Sequence, residues 1–354
     1  MTSLTDLATS REVLFIGGKG GVGKTAVASA LGLAQARSGR PTLVVSTDPA
    51  HNLGHLWQRK VGDTPVQLAP GLRGLELDPA RTTEEHLRTV RATMERLMPE
   101  HLQGEIKKHL ELARDAPGTH EAALLERIAE VVEDREEGEL VIFDTAPSGH
   151  TSRLIALPEL MQAWTEGLLR RQDRSARFGA ALRGLEGADY DAAELIGSRR
   201  LQDATSVTQD RTGGRSSTSI GPRRSQDRRA RRDMEIRQIL DRRQSSFRSL
   251  REVLQDPART SFVIVLAAER LPVLETIELQ EQLTRSHMQV AALVVNKRSP
   301  ADGGELLAAR REVEDGYLRQ LTKALPRIPV VEVPLLPGEV VGEDGLAAFG
   351  AHLS

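Results

Sequence analysis

Gly18-Lys19-Gly20-Gly21-Val22-Gly23-Lys24-Thr25 follows the apolar run Val13-Leu14-Phe15-Ile16 and leads into Thr25-Ala26-Val27-Ala28-Ser29-Ala30-Leu31. A β-branched and aromatic run that breaks into glycines and then into a helix-forming stretch reads as strand, loop, helix. That is the setting of a phosphate-binding loop of the pattern G-x-x-x-x-G-K-T. The glycines let the backbone curl until several N–H groups face one anion, an approach that side chains would block. The helix behind the loop adds its positive N-terminal end. Lys24 is placed to reach the β- and γ-phosphates, and the Thr25 hydroxyl to ligate Mg²⁺. The stretch predicts a nucleoside triphosphate as ligand.

Outward from the loop, further apolar strands are expected at 41–46, 72–77, 140–144, 261–267, 290–296 and 328–333. Helical patterns fill the gaps at both ends of the chain, so the fold class is α/β, a doubly wound, mostly parallel P-loop sheet. The middle reads as almost entirely helical, a subdomain at about 82–135 and 155–255 inserted into one P-loop domain spanning 1–354. Within it, Ser198–Arg232 holds ten arginines against three aspartates, an excess of seven, with few large apolar residues. This segment is expected to be a mobile basic loop, with helix resuming at Asp233. Docking on an anionic membrane or nucleic acid is its alternative reading.

Composition narrows the class. The chain has 354 residues, 39% hydrophobic and 28% charged, as in ordinary soluble globular proteins. A net charge of −2 argues against a general nucleic-acid surface. There is no cysteine, which excludes disulfides, thiolate zinc sites and cysteine-ligated iron–sulfur clusters. The N-terminal residues show no basic-then-apolar signal, and the longest apolar run, Phe262–Ala268, is too short for a bilayer. A cytoplasmic protein is expected, peripheral at a membrane only through a partner.

Two acids sit at the ends of apolar strands, Asp48 and Asp144. Ligands of an open parallel sheet bind beyond the carboxyl ends of its strands, which places both near the phosphates. Asp144 suits the acid that holds Mg²⁺ through its water shell, and Asp48 the group that orients or deprotonates the attacking water. For either acid alone, helix capping is the plain alternative. Lys19 is either a solvated loop lysine or a cation that crosses a dimer interface to the partner's phosphates.

K-G-G-V-G-K-T resembles the deviant Walker A group, which includes partitioning and division-site ATPases and nitrogenase iron proteins. Thr47-Asp48-Pro49-Ala50-His51-Asn52-Leu53 resembles switch I of the arsenical pump-driving and tail-anchored-protein-targeting ATPases. Asp144-Thr145-Ala146-Pro147-Ser148-Gly149-His150-Thr151 resembles their switch II. Ala268-Glu269, Val294-Val295-Asn296-Lys297 and Pro334-Leu335-Leu336-Pro337-Gly338-Glu339-Val340 resemble their nucleotide-contacting segments. The resemblance implies a homodimer that sandwiches two ATP molecules and closes on them. It makes Lys19 the signature lysine, Asp48 the catalytic acid, Asn296 the adenine reader and Glu269 a further nucleotide contact. Gly20, Gly21, Val22, Gly23, Lys24, Thr25 and Ala26 would hold the phosphates, with Thr25 and Asp144 at Mg²⁺.

The family's work is to energise a membrane transporter subunit or to carry a hydrophobic client. A partitioning-type ATPase acting on DNA or a membrane surface is the alternative. Metalloid activation in the pump ATPases uses thiolates, soft ligands for a soft element, and no such site or bridging zinc is expected here. Met94, Met98, Met161, Met234 and Met288 fit ordinary core positions better than a client groove.

Overall fold

The computed structural model describes residues 3–48, 52–97, 111, 114, 119–145 and 222–353. In it the apolar run ahead of the glycines is β1 (Val13–Gly17), buried along its whole length. Val13 and Phe15 enter the hydrophobic cluster on one face of the sheet, and Leu14 and Ile16 enter the cluster on the other. A strand covered on both faces needs apolar side chains at every position, which is why it reads as a continuous run.

β1 lies inside an eight-stranded sheet of order β3-β4-β2-β5-β1-β6-β7-β8. The other strands are β2 (Thr42–Ser46), β3 (Val66–Ala69), β4 (Leu72–Glu76), β5 (Leu140–Asp144), β6 (Thr260–Ala267), β7 (Val290–Arg298) and β8 (Val330–Pro334). All neighbours pair in parallel except β3, which is antiparallel to β4. The α/β expectation holds.

One face is covered by α1 (Leu4–Thr9), α2 (Lys24–Arg37) and α9 (Gly342–Gly350), through Leu4, Val27, Leu31, Leu346 and Phe349. The other is covered by α5 (Thr119–Glu133), the end of α6 (Pro222–Gln255), α7 (Arg270–Arg285) and α8 (Glu305–Ala324). Leu125, Ile128, Phe247, Leu250, Val273 and Leu321 supply that packing. Phe15 stacks on Phe143 and Phe262 across three adjacent strands, with ring centroids 4.8 and 5.9 Å apart. Two further helices are α3 (Asn52–Trp57) and α4 (Pro79–Leu97).

The chain divides into two compact units, residues 1–161 with 245–354, and residues 162–244. The sheet belongs to the first. Of the second, the described part is 222–244, the leading stretch of α6.

Several elements depart from the expectations. α6 begins at Pro222 rather than Asp233, so residues 222–232, read as part of a mobile basic loop, are helical. Proline suits a first helical turn and arginine is a strong helix former, so a charge run is no bar to helix. α1 was not expected; Ser3 and Asp6 form a capping box, with Asp6 N donating to Ser3 Oγ at 3.0 Å. Met288 is buried in the core as expected, whereas Met234 is 58% exposed on α6. Residues 49–51 of the first switch motif and 146–151 of the second lie outside the described residues, as do 198–221, Met98 and Met161.

Candidate nucleotide site

The parallel register sets the site. Ile16 of β1 and Ser46 of β2 both align with Asp144 at the end of β5, so three strand ends meet at one edge. The chain turns from β1 into the glycine loop at this edge, and α2 starts behind it. Gly18 has φ +136°, and an added Cβ would lie 2.0 Å from the Val265 carbonyl oxygen. Gly23 has φ +98° at the N-cap of α2, and its Cβ would lie 2.4 Å from Asn296 Nδ2. At both positions the loop takes a path that only glycine permits.

Thr25, on the first turn of α2, donates from Oγ1 to Asp144 Oδ2 at 2.6 Å. Asp144 is fully buried, and its Oδ1 has no hydrogen-bond partner among the described residues. Burial pushes this carboxyl up to about 6 and Asp48 adds to the rise, while the Thr25 bond and the Lys24 charge oppose it. Lys24 is buried too, and burial lowers its pKa against the pull of Asp144 and Asp48. This strand end places a buried carboxylate oxygen, without a hydrogen-bond partner among the described residues, beside a hydroxyl. Its oxygen donors fit a hard divalent ion.

Asp48 follows β2. Its N–H donates to Ser46 Oγ at 3.3 Å, and its Oδ2 accepts from Asn52 Nδ2 at 3.2 Å. Lys24, Asp144 and Asp48 thus form one electrostatic group. α3, which begins at Asn52, is tied to α2 by Trp57 Nε1 donating to Ser29 Oγ at 3.1 Å. Its Gly54 N–H reaches Glu76 on β4 at 2.9 Å.

The remaining predicted residues sit on the other side of the loop. Lys19 Nζ pairs with Glu275 of α7 at 3.1 Å, and the Lys19 carbonyl accepts from Lys24 Nζ at 3.1 Å. Glu269, at the N-cap of α7, accepts from Arg310 of α8 at 3.0 Å. Asn296 is buried near the end of β7, with Nδ2 donating to the Val22 carbonyl at 2.8 Å. Lys19–Val22, Ala267, Glu269–Pro272 and Lys297 line a cavity of about 410 Å³. The sequence assigns no role to Ser46 or Glu275, and it includes Lys297 only within the segment that resembles a nucleotide-contacting stretch.

The chain that carries this loop, the strand-end acids and the buried lysine is similar in sequence to known proteins. The family model described as anion-transporting ATPase matches residues 11–205 and 223–354. A protein of Aspergillus terreus called ATPase get3 is 30% identical over 359 residues, covering 100% of this chain and 93% of that protein. ATPase ASNA1 homolog of Leishmania braziliensis is 31% identical, covering 99% of this chain and 95% of its own. ATPase ASNA1 homolog 1 of Paramecium tetraurelia is 28% identical over 343 residues, 95% of this chain and 90% of that one. With the site in place and the match running through nearly the whole chain, the protein belongs to the anion-transporting ATPase family, whose members are ATP-hydrolysing enzymes.

Proposed function

We propose that this ATPase is a Mg²⁺-dependent, nucleotide-gated homodimer that couples ATP binding and hydrolysis to a hydrophobic client protein or a transporter subunit. The observation that carries the chemical part is Thr25 against buried Asp144 with one carboxylate oxygen unpaired, beside buried Lys24. Thr25 and Asp144 would hold Mg²⁺, which supplies charge neutralisation to the triphosphate when bound. The loop N–H groups of Gly20–Lys24 bind phosphate oxygens, and Lys24 leaves the Lys19 carbonyl to join them. Asp48 holds the attacking water and takes its proton. Lys19, supplied by the partner subunit's loop, meets charge as it develops in the transition state.

Coupling to a protein partner is supported by the resemblance of the switch motifs to those of the arsenical pump-driving and tail-anchored-protein-targeting ATPases, with relatives covered over 90–95% of their length. The absence of cysteine from this chain leaves no thiolate site for metalloid gating. Asp48→Asn should lower kcat by about two to four orders of magnitude with nucleotide binding kept, as loss of a general base does. Lys24→Ala should lose binding and turnover together. Full Mg²⁺-ATPase activity in either variant overturns the assignment. Crosslinking in the ATP-trapped Asp48→Asn protein then reads the client.

A further inference from the structure

A loop that offers its N–H groups to an anion must turn its carbonyls outward, and each of those needs a donor. Among the described residues, three carbonyls of this loop have side-chain donors. Lys19 O accepts from Lys24 Nζ at 3.1 Å, Gly21 O from Lys297 Nζ at 2.9 Å and Val22 O from Asn296 Nδ2 at 2.8 Å. Lys24 belongs to the loop's own helix and is needed at the phosphates. The other two donors come from one place on β7.

That place is built for the purpose. The β7–β8 register shifts between Val295 and Arg298, a bulge that re-aims the side chains between them. Lys297 takes φ +58°, a left-handed conformation that a long side chain disfavours. The turn brings the Lys297 N–H onto Asn296 Oδ1 at 2.8 Å, which fixes the amide so that Nδ2 faces Val22. The bulge is anchored from behind by Arg298, 1% exposed, whose guanidinium pairs with Glu314 at 2.8 Å and Glu332 at 2.7 Å and also with Asp315. Backbone strain held by an ion-pair network centred on buried Arg298 and Glu314 marks a conformation that its surroundings enforce.

We propose that Asn296 and Lys297 form a clamp that holds the phosphate loop in its anion-binding shape before nucleotide arrives, with Lys297 as a positioning residue. Asn296 then has one amide proton and one oxygen lone pair left for a base edge, so clamping and base reading are compatible. The inference rests on the nucleotide reading of the loop.

The test compares full-length Lys297→Gly, Lys297→Met and Lys297→Arg with the unaltered protein. Amide exchange of residues 18–24 is measured without nucleotide, and the Kd of a fluorescent ADP analogue at low and high salt. The glycine and methionine variants should exchange faster in the loop and bind ADP about tenfold more weakly, the scale of one charged hydrogen bond. The loss should persist at high salt, and arginine should restore both readings. The glycine variant should keep its thermal midpoint, because it relieves the left-handed backbone. Unchanged exchange in the loop, or an affinity loss that vanishes at high salt, overturns the clamp and leaves Lys297 a distant attractive charge. Failure of the unaltered protein to bind ADP overturns the nucleotide reading instead, and the exchange comparison still decides the clamp.

Discussion

Asp144 is where fold and chemistry conflict most sharply. Its carboxyl is buried against Thr25 and Lys24 and titrates at about 6 before any cation binds. Because the folded-state pKa lies above that of an exposed aspartate, this group favours folding fully below about pH 4, and the contribution is lost as pH rises through about 6. At neutral pH the nucleotide-free protein carries a charge it would be more stable without. Asp144→Asn keeps an acceptor for Thr25, so it should raise stability at pH 8 by roughly 1–3 kcal/mol and much less at pH 4. Urea denaturation at the two pH values measures the difference. The same variant should lose Mg²⁺-dependent turnover. In the unaltered protein, the Mg²⁺ concentration for half-activity should climb about tenfold per pH unit below 6, since the site must shed a proton to take the ion. Lys24, Thr25, Asp48 and Asp144 were legible because a local pattern and a strand-end position identify each. Lys297 stands in a legible motif, but its contact does not show there, because its partner Gly21 lies 276 residues away and only the sheet order brings them together.

The elements that were legible are those whose burial leaves one-dimensional traces. β1, β2, β5 and β6 are buried almost throughout and read as unbroken apolar runs. β3 has only its last two residues buried and borders a single strand, so its four residues gave no such trace. The short helices α1 and α3 owe their existence to a cap and to tertiary bonds from Trp57 and Gly54 rather than to periodicity. The glycine loop shows how two similar letters carry different constraints. A Cβ at Gly18 would strike the β6 backbone at 2.0 Å, where no rotamer change can help, whereas none of the described residues lies within 4 Å of a Cβ at Gly21. Gly21, at φ +78°, bears only the conformational penalty. Gly21→Ala should therefore cost about 1–2 kcal/mol. Gly18→Ala should cost clearly more, above about 3 kcal/mol, because β1 and β6 must separate. Denaturation midpoints of the two variants rank them, and equal costs would show that the loop yields at both positions.

For the whole molecule, the proposed homodimer turns on what Lys19 would do if two copies met. In the single chain its ammonium is held by Glu275, with the two side chains 40% and 36% exposed. A pair that open to water contributes about 0–1 kcal/mol, so it holds Lys19 in a defined place without competing seriously against a triphosphate. A lysine weakly held in its own chain can be exchanged to the partner's nucleotide at small expense. Lys19→Ala should then lower turnover by about two orders of magnitude, the scale of one lost transition-state donor, while leaving nucleotide affinity within a few fold. Sedimentation in ATP and Mg²⁺ should show the Lys19→Ala protein as a trapped dimer and the nucleotide-free protein as the looser state. Glu275→Gln should shift that dimer equilibrium by less than about fivefold, in the closing direction, because only an exposed ion pair is removed. A monomer under turnover conditions, or full turnover without Lys19, would return this lysine to its own chain and leave the cis pair with Glu275 as its whole role.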